Sequence, residues 1–77
     1  MEIYVGNLPY AATEEEIKEF FSAHGQVTNV RIIIDKETGR SKGFAFVEMP
    51  DNDEATTAIE ASEGAEFLDR NLRVNEA

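Results

Sequence analysis

The sequence contains no cysteine, a single histidine, and only seven lysines and arginines against sixteen aspartates and glutamates. Without cysteine there is neither a disulfide staple nor a thiolate metal site, and one histidine leaves too few ligands for zinc. Long apolar runs are missing as well. The longest is four residues, far below the roughly 20 that a membrane span requires, so no membrane partner is expected. Ile3, Tyr4 and Val5 follow the start with no basic leader and apolar stretch before them, which gives no sign of a secretory signal. The 77 residues leave room for one domain, residues 1–77, with one core and no linker. A chain of this size buries only about 60% of the surface its unfolded form exposes, so core substitutions should be costly.

Chemistry-bearing constellations are scarce too. His24 lies near an expected helix end, where a favourable contact with the helix dipole explains it better than catalysis. Asp51-Asn52-Asp53-Glu54 lacks the central glycine and closing glutamate of a calcium loop, and helix capping accounts for it. Gly39 and Gly43 lie near a lysine without forming a phosphate loop. No nucleophile, acid–base pair or metal set is in view, so neither enzymatic activity nor a cofactor is expected.

What is present is a clear alternation of elements. Ile3 to Leu8 reads as a strand closed by Pro9. Thr13 stands three residues before Glu16, the capping-box spacing, and Ile17, Phe20 and Phe21 form an apolar helical stripe that should stop at Gly25 in the left-handed position. Val27 to Ile34 is rich in β-branched residues, Asp35 to Gly43 suits a hairpin loop, and a third strand runs from Lys42 to Met49. Asp51 and Glu54 then repeat the helix-start spacing before Ala55, Ala58 and Ile59, with Gly64 as the stop. After a loop through Phe67 and Asp69, Leu72 and Val74 alternate with Arg73 and Asn75 as a last strand. The order β-α-β-β-α-β predicts an α+β, ferredoxin-like fold with both helices on one face of a four-stranded antiparallel sheet. The other face is left to solvent.

Strand parity identifies what that open face carries. In the third strand Lys42, Phe44, Phe46 and Glu48 share one side, and the two charged residues assign that side to water. Phe44 and Phe46 are therefore exposed. Tyr4 joins them if the first and third strands are neighbours. A contiguous aromatic patch on a small domain calls for a partner, and flat rings flanked by cations suit nucleobases.

Lys42-Gly43-Phe44-Ala45-Phe46-Val47-Glu48-Met49 matches the octapeptide signature of the RNA-recognition motif at all but one constrained position, where Met49 replaces an aromatic. Ile3-Tyr4-Val5-Gly6-Asn7-Leu8 resembles the companion hexapeptide of that family, and the similarity extends through Thr38-Gly39-Arg40-Ser41 and Arg73-Val74-Asn75. The resemblance implies a sheet order of 4-1-3-2. It further implies single-stranded RNA stacking on Tyr4 and Phe46, Phe44 inserting between riboses, Lys42 contacting phosphate, and Asn75 within the RNA-binding set. The pattern is most similar to compact single-domain bacterial or chloroplast members, so a cytoplasmic monomer is expected, or one in the chloroplast or nucleus of a eukaryote. Single-stranded DNA should bind more weakly. Ser62, where the family usually has leucine, should weaken the seam beneath the second helix, and Asp69 fills a turn position often held by glycine.

The net charge of −9 opposes this reading unless the charges are segregated. Glu14, Glu15, Glu16 and Glu19 fall on the first helix, and Asp51, Asp53, Glu54, Glu60 and Glu63 on or beside the second. Arg31, Arg40, Lys42 and Arg73 should lie on the open face or its rim, with Glu48 the main exception. Most acidity is then behind the binding surface and largely screened from it. A protein-docking role for the sheet or the acidic helix face is the alternative expectation.

Overall fold

Thr13 opens the first helix as its spacing predicts. Its Oγ1 accepts the Glu16 N–H at 3.1 Å, while the Glu16 carboxylate accepts the Thr13 N–H at 2.9 Å. Asp51 likewise accepts the Glu54 N–H at 3.0 Å, and each such cap contributes about 1 kcal/mol. The computed structural model describes residues 1–77 in the order β1 (Glu2–Gly6), α1 (Glu14–Ser22), β2 (Asn29–Ile34), β3 (Ser41–Glu48), α2 (Asn52–Ser62), β4 (Glu66–Phe67), β5 (Arg70–Asn71) and β6 (Arg73–Glu76). Gly64, with φ +76°, follows the α2 cap in the expected left-handed conformation. Gly25 does not have that role. The first helix ends at Ser22 with Ala23 as its cap, earlier than the spacing predicts. A Cβ on Gly25 would fall 2.5–2.6 Å from the Glu54 side chain, whose Oε1 accepts the Gln26 N–H, so glycine is needed for that close approach.

Antiparallel pairing gives the sheet order β2-β3-β1-β6, which is 4-1-3-2 when its strands are counted along the chain. Ile3 stands opposite Val47, and Val5 lies between Ala45 and Val74, so one face of the sheet is continuously apolar. These residues are fully buried together with Ile17 and Phe21 of α1 and Ala55 and Ala58 of α2. Phe20 packs edge-to-face on both Phe21 and Phe67, at 5.3 and 5.2 Å between centroids. Met49 is buried as well, so its replacement of an aromatic is a matter of core packing.

The expected loop through Phe67 and Asp69 is instead a small hairpin, in which β4 pairs with β5. Leu68 and Asp69 form its two-residue turn with φ of +50° and +70°, as a type I′ turn requires. Asp tolerates this conformation, whereas leucine there costs about 1–2 kcal/mol, which is why its sequence does not announce a tight turn. The hairpin is anchored by buried Phe67 and by the Asn71 side chain donating to the Gly64 carbonyl at 2.9 Å.

Ser62 is fully buried on α2 and its hydroxyl has no hydrogen-bond partner. An unsatisfied buried hydroxyl costs about 1–3 kcal/mol, whereas an apolar group of similar shape does not incur that cost. Ser62→Ala is therefore expected to raise stability by about 1 kcal/mol, an increase in Tm of about 4–8 °C in a thermal melt. A melting temperature that stays level or falls would mean the hydroxyl is satisfied in solution.

Candidate nucleic-acid interface

Strand register arranges the open face in rows across the sheet. The middle row reads Asn75, Tyr4, Phe46, Arg31, each residue directly opposite the next on the neighbouring strand. Beside it lie Arg73, Gly6 and Phe44. On the other side lie Glu2, Glu48 and Asn29. Tyr4, Phe44 and Phe46 adjoin one another, with centroids 5.7, 6.1 and 6.0 Å apart, and none is buried in the core, but each is half-buried rather than fully exposed as parity predicts, because the rings cover one another. The rings are mutually tilted rather than coplanar. Each therefore offers a separate surface to a planar ligand, and the pairwise contacts hold them in place.

Gly6 shapes this cluster in a way that parity alone does not reveal. A Cβ at Gly6 would lie 2.6 Å from the Tyr4 hydroxyl, so the tyrosine ring leans along β1 over the space the glycine leaves. Glycine at this position thus sets the tilt of its neighbour.

The cations expected at the face are all exposed. The Arg31 guanidinium carbon lies 5.5 Å from the Phe46 ring centroid, a cation–π contact worth about 0.5–1 kcal/mol at an exposed site. Arg40, Lys42 and Phe44 line one recess at the β2–β3 end of the face. Arg73 stands opposite Gly6, and Asn75 opposite Tyr4. The structure thus places Tyr4, Phe44, Phe46, Lys42, Arg40, Arg31, Arg73 and Asn75 on one face or its rim. Glu48 is not the only acid there. Glu2 shares the parity of Tyr4 and stands directly opposite Glu48, making one end of the platform acidic, with the Glu48 carboxylate accepting the Thr28 hydroxyl at 2.7 Å. The first turns of both helices hold Glu14, Glu15, Glu16, Asp53 and Glu54, where carboxylates suit the helix dipole. Nowhere do three or more of the His, Asp and Glu side chains converge into a set that could hold a metal ion.

Comparison with known proteins agrees with this geometry. The family model described as the RNA recognition motif matches residues 3–73. A Nostoc protein named as the RNA-binding protein RbpB is 52% identical over 77 residues, covering all of this chain and 75% of its own. The crystal structure of RNA Binding Protein PG1 is 51% identical with a TM-score of 0.96, covering 100% of this chain and 93% of that one. The Rna15 RRM with bound GU RNA is 36% identical with a TM-score of 0.87, covering 99% and 81%.

Proposed function

Because this chain belongs to the RNA recognition motif family, we propose that it binds single-stranded RNA on the open sheet face, with bases stacked on Tyr4 and Phe46 and Phe44 set against the ribose. Arg31, Arg40, Lys42 and Arg73 meet phosphates, and Asn75 supplies hydrogen bonds to the base on Tyr4. The observation that carries this reading is the row Asn75–Tyr4–Phe46–Arg31, which sets two half-buried rings of the open face between a hydrogen-bonding amide and a cation. The RNA-bound Rna15 neighbour and the RbpB relative support it.

Magnitudes favour stacking as the main source of affinity. Each stacked base contributes about 1–3 kcal/mol, more than the Arg31–Phe46 contact, so an incoming base displaces the guanidinium toward phosphate. The net charge of −9 works against long-range attraction, which leaves binding dependent on a few direct contacts. Ribose contacts at Phe44 favour RNA over single-stranded DNA, since the 2′-hydroxyl is where the two differ. The domain acts as a monomeric unit over residues 1–77 and as a binder rather than a catalyst. No helix is long and apolar enough to cross a membrane, and the Nostoc relative supports work in a bacterial cytoplasm.

Salt dependence tests the phosphate part of the scheme. Arg40→Ala should weaken binding uniformly across RNA sequences and flatten the log–log salt slope by about 0.7, the increment for one phosphate contact on a single strand. Fluorescence anisotropy with labelled RNA at several salt concentrations measures this. An unchanged slope removes Arg40 from the phosphate contacts, and a wild-type protein that fails to bind single-stranded RNA at low salt overturns the function itself.

A further inference from the structure

The four-stranded sheet has two edges, β2 and β6, and they are closed in different ways. At β6 the chain covers its own edge. The Glu63 carboxylate accepts the Val74 N–H, and just before the strand the Gly64 N–H donates to the Leu72 carbonyl and the Leu72 N–H to the Ala65 carbonyl, each at 2.9 Å. At β2 a single side chain bonds to the outer backbone: Glu14, whose Oε2 accepts the Ile32 N–H at 3.2 Å. Antiparallel ladders alternate, so the Val30 amide points outward like that of Ile32.

In composition β2 is well suited to pairing with another strand. Its residues Asn29-Val30-Arg31-Ile32-Ile33-Ile34 include four β-branched side chains and one charge, and none of the six is fully buried. Ile34 is 48% exposed. An open edge of this kind is a template for a further strand. Two features oppose that: a register shift between Ile32 and Ile34, which bends the strand, and Glu14, which occupies the Ile32 amide. A carboxylate accepts hydrogen bonds and donates none, so it withholds the donor that an incoming strand's carbonyl would need. Glu14 is the first residue of α1, and the Thr13–Glu16 capping box fixes the turn from which it reaches across. The helix dipole alone does not account for it, because Glu15 in the same turn suits the dipole as well without bonding to β2.

We propose that Glu14 keeps the β2 edge closed, and that without its carboxylate a second copy of this chain pairs antiparallel on β2, with the two Ile32 residues facing each other across a dyad. Each Ile32 N–H then donates to the other copy's Ile32 carbonyl. Arg31 stands opposite Ile33 of the other copy, so like charges do not meet. The dyad of such a pairing is perpendicular to the sheet, which turns both aromatic faces the same way and joins the two platforms at their Arg31 ends. The inference concerns assembly and is independent of the RNA-binding reading.

The test is sedimentation equilibrium at millimolar concentration, with a thermal melt and amide hydrogen exchange for each protein. Wild type should be monomeric, and Glu14→Ala should double its mass while melting close to wild type. Glu15→Ala removes the same charge from the same turn and should stay monomeric. Adding Ile33→Lys to Glu14→Ala sets a lysine against Arg31 of the other copy and should restore the monomer. In Glu14→Ala the Ile32 amide should exchange fast in dilute solution and slowly in concentrated solution. A Glu14→Ala protein that stays monomeric would overturn the proposal. So would equal association of Glu15→Ala, association that survives Ile33→Lys, or a wild type already dimeric through β2. Association with a large fall in melting temperature would overturn it too, by making unfolded chain the cause.

Discussion

Phe21→Ala is expected to cost about 3–5 kcal/mol of folding stability, the range for removing a buried phenylalanine ring. Phe21 is fully buried on α1 and touches Phe20 edge-to-face, and the space it shares with Val5, Leu8, Ile17, Phe67 and Leu72 has no room for a water molecule. Removing the ring opens a cavity there, because the sheet, the first helix and the β4–β5 hairpin around it cannot collapse freely. A domain of this length has a total stability of about 4–12 kcal/mol at the usual 0.05–0.15 per residue, so the variant should be largely unfolded or close to it. Thermal melting followed by circular dichroism should show a Tm lowered by at least about 12 °C, or no cooperative transition. A loss below about 1 kcal/mol would contradict the helix-on-sheet core.

That core is legible in the sequence because its signals are local. Thr13 with Glu16 and Asp51 with Glu54 mark both helix starts within four residues, and the caps form as the spacing predicts. Lys42 and Glu48 bracket the rings of the third strand, so the side facing water can be assigned without knowing its neighbours. The sheet order is different in kind. It depends on pairings between residues more than forty positions apart, such as Ile3 with Val47, and follows from resemblance to a family rather than from pattern. The β4–β5 hairpin escapes notice because Leu68 adopts a conformation against its own preference, and only the surrounding contacts hold it there. Gly25 looks like a helix stop but is a glycine because Glu54, on another element, comes too close for a side chain.

The candidate site divides the same way. Tyr4, Phe44, Phe46 and the cations follow from parity and charge, and Glu2 is accessible to the same rule. That Glu2 stands against Glu48 follows only from register. Tyr4 leaning over Gly6 depends on a side-chain rotamer, which leaves no mark on the linear pattern.

Phe46→Ala is expected to reduce RNA affinity about five- to 150-fold, corresponding to the 1–3 kcal/mol of one stacked base. The fold should survive. Phe46 lies on the open face, so its loss removes contacts with Tyr4, Phe44 and Arg31 but leaves no hole beneath the helices. A destabilisation of about 1 kcal/mol is the scale for losing a favourable strand residue and its cross-strand partners, well short of the Phe21 effect. The contrast between the two phenylalanines is the signature of a two-faced sheet: one ring holds the fold and the other holds the ligand.

The most direct test titrates single-stranded RNA into wild type and Phe46→Ala side by side, with a melt of each protein. A folded Phe46→Ala with RNA affinity lower by about fivefold or more is the predicted result. A folded variant that binds as wild type does, or a variant that unfolds, would contradict the open aromatic platform.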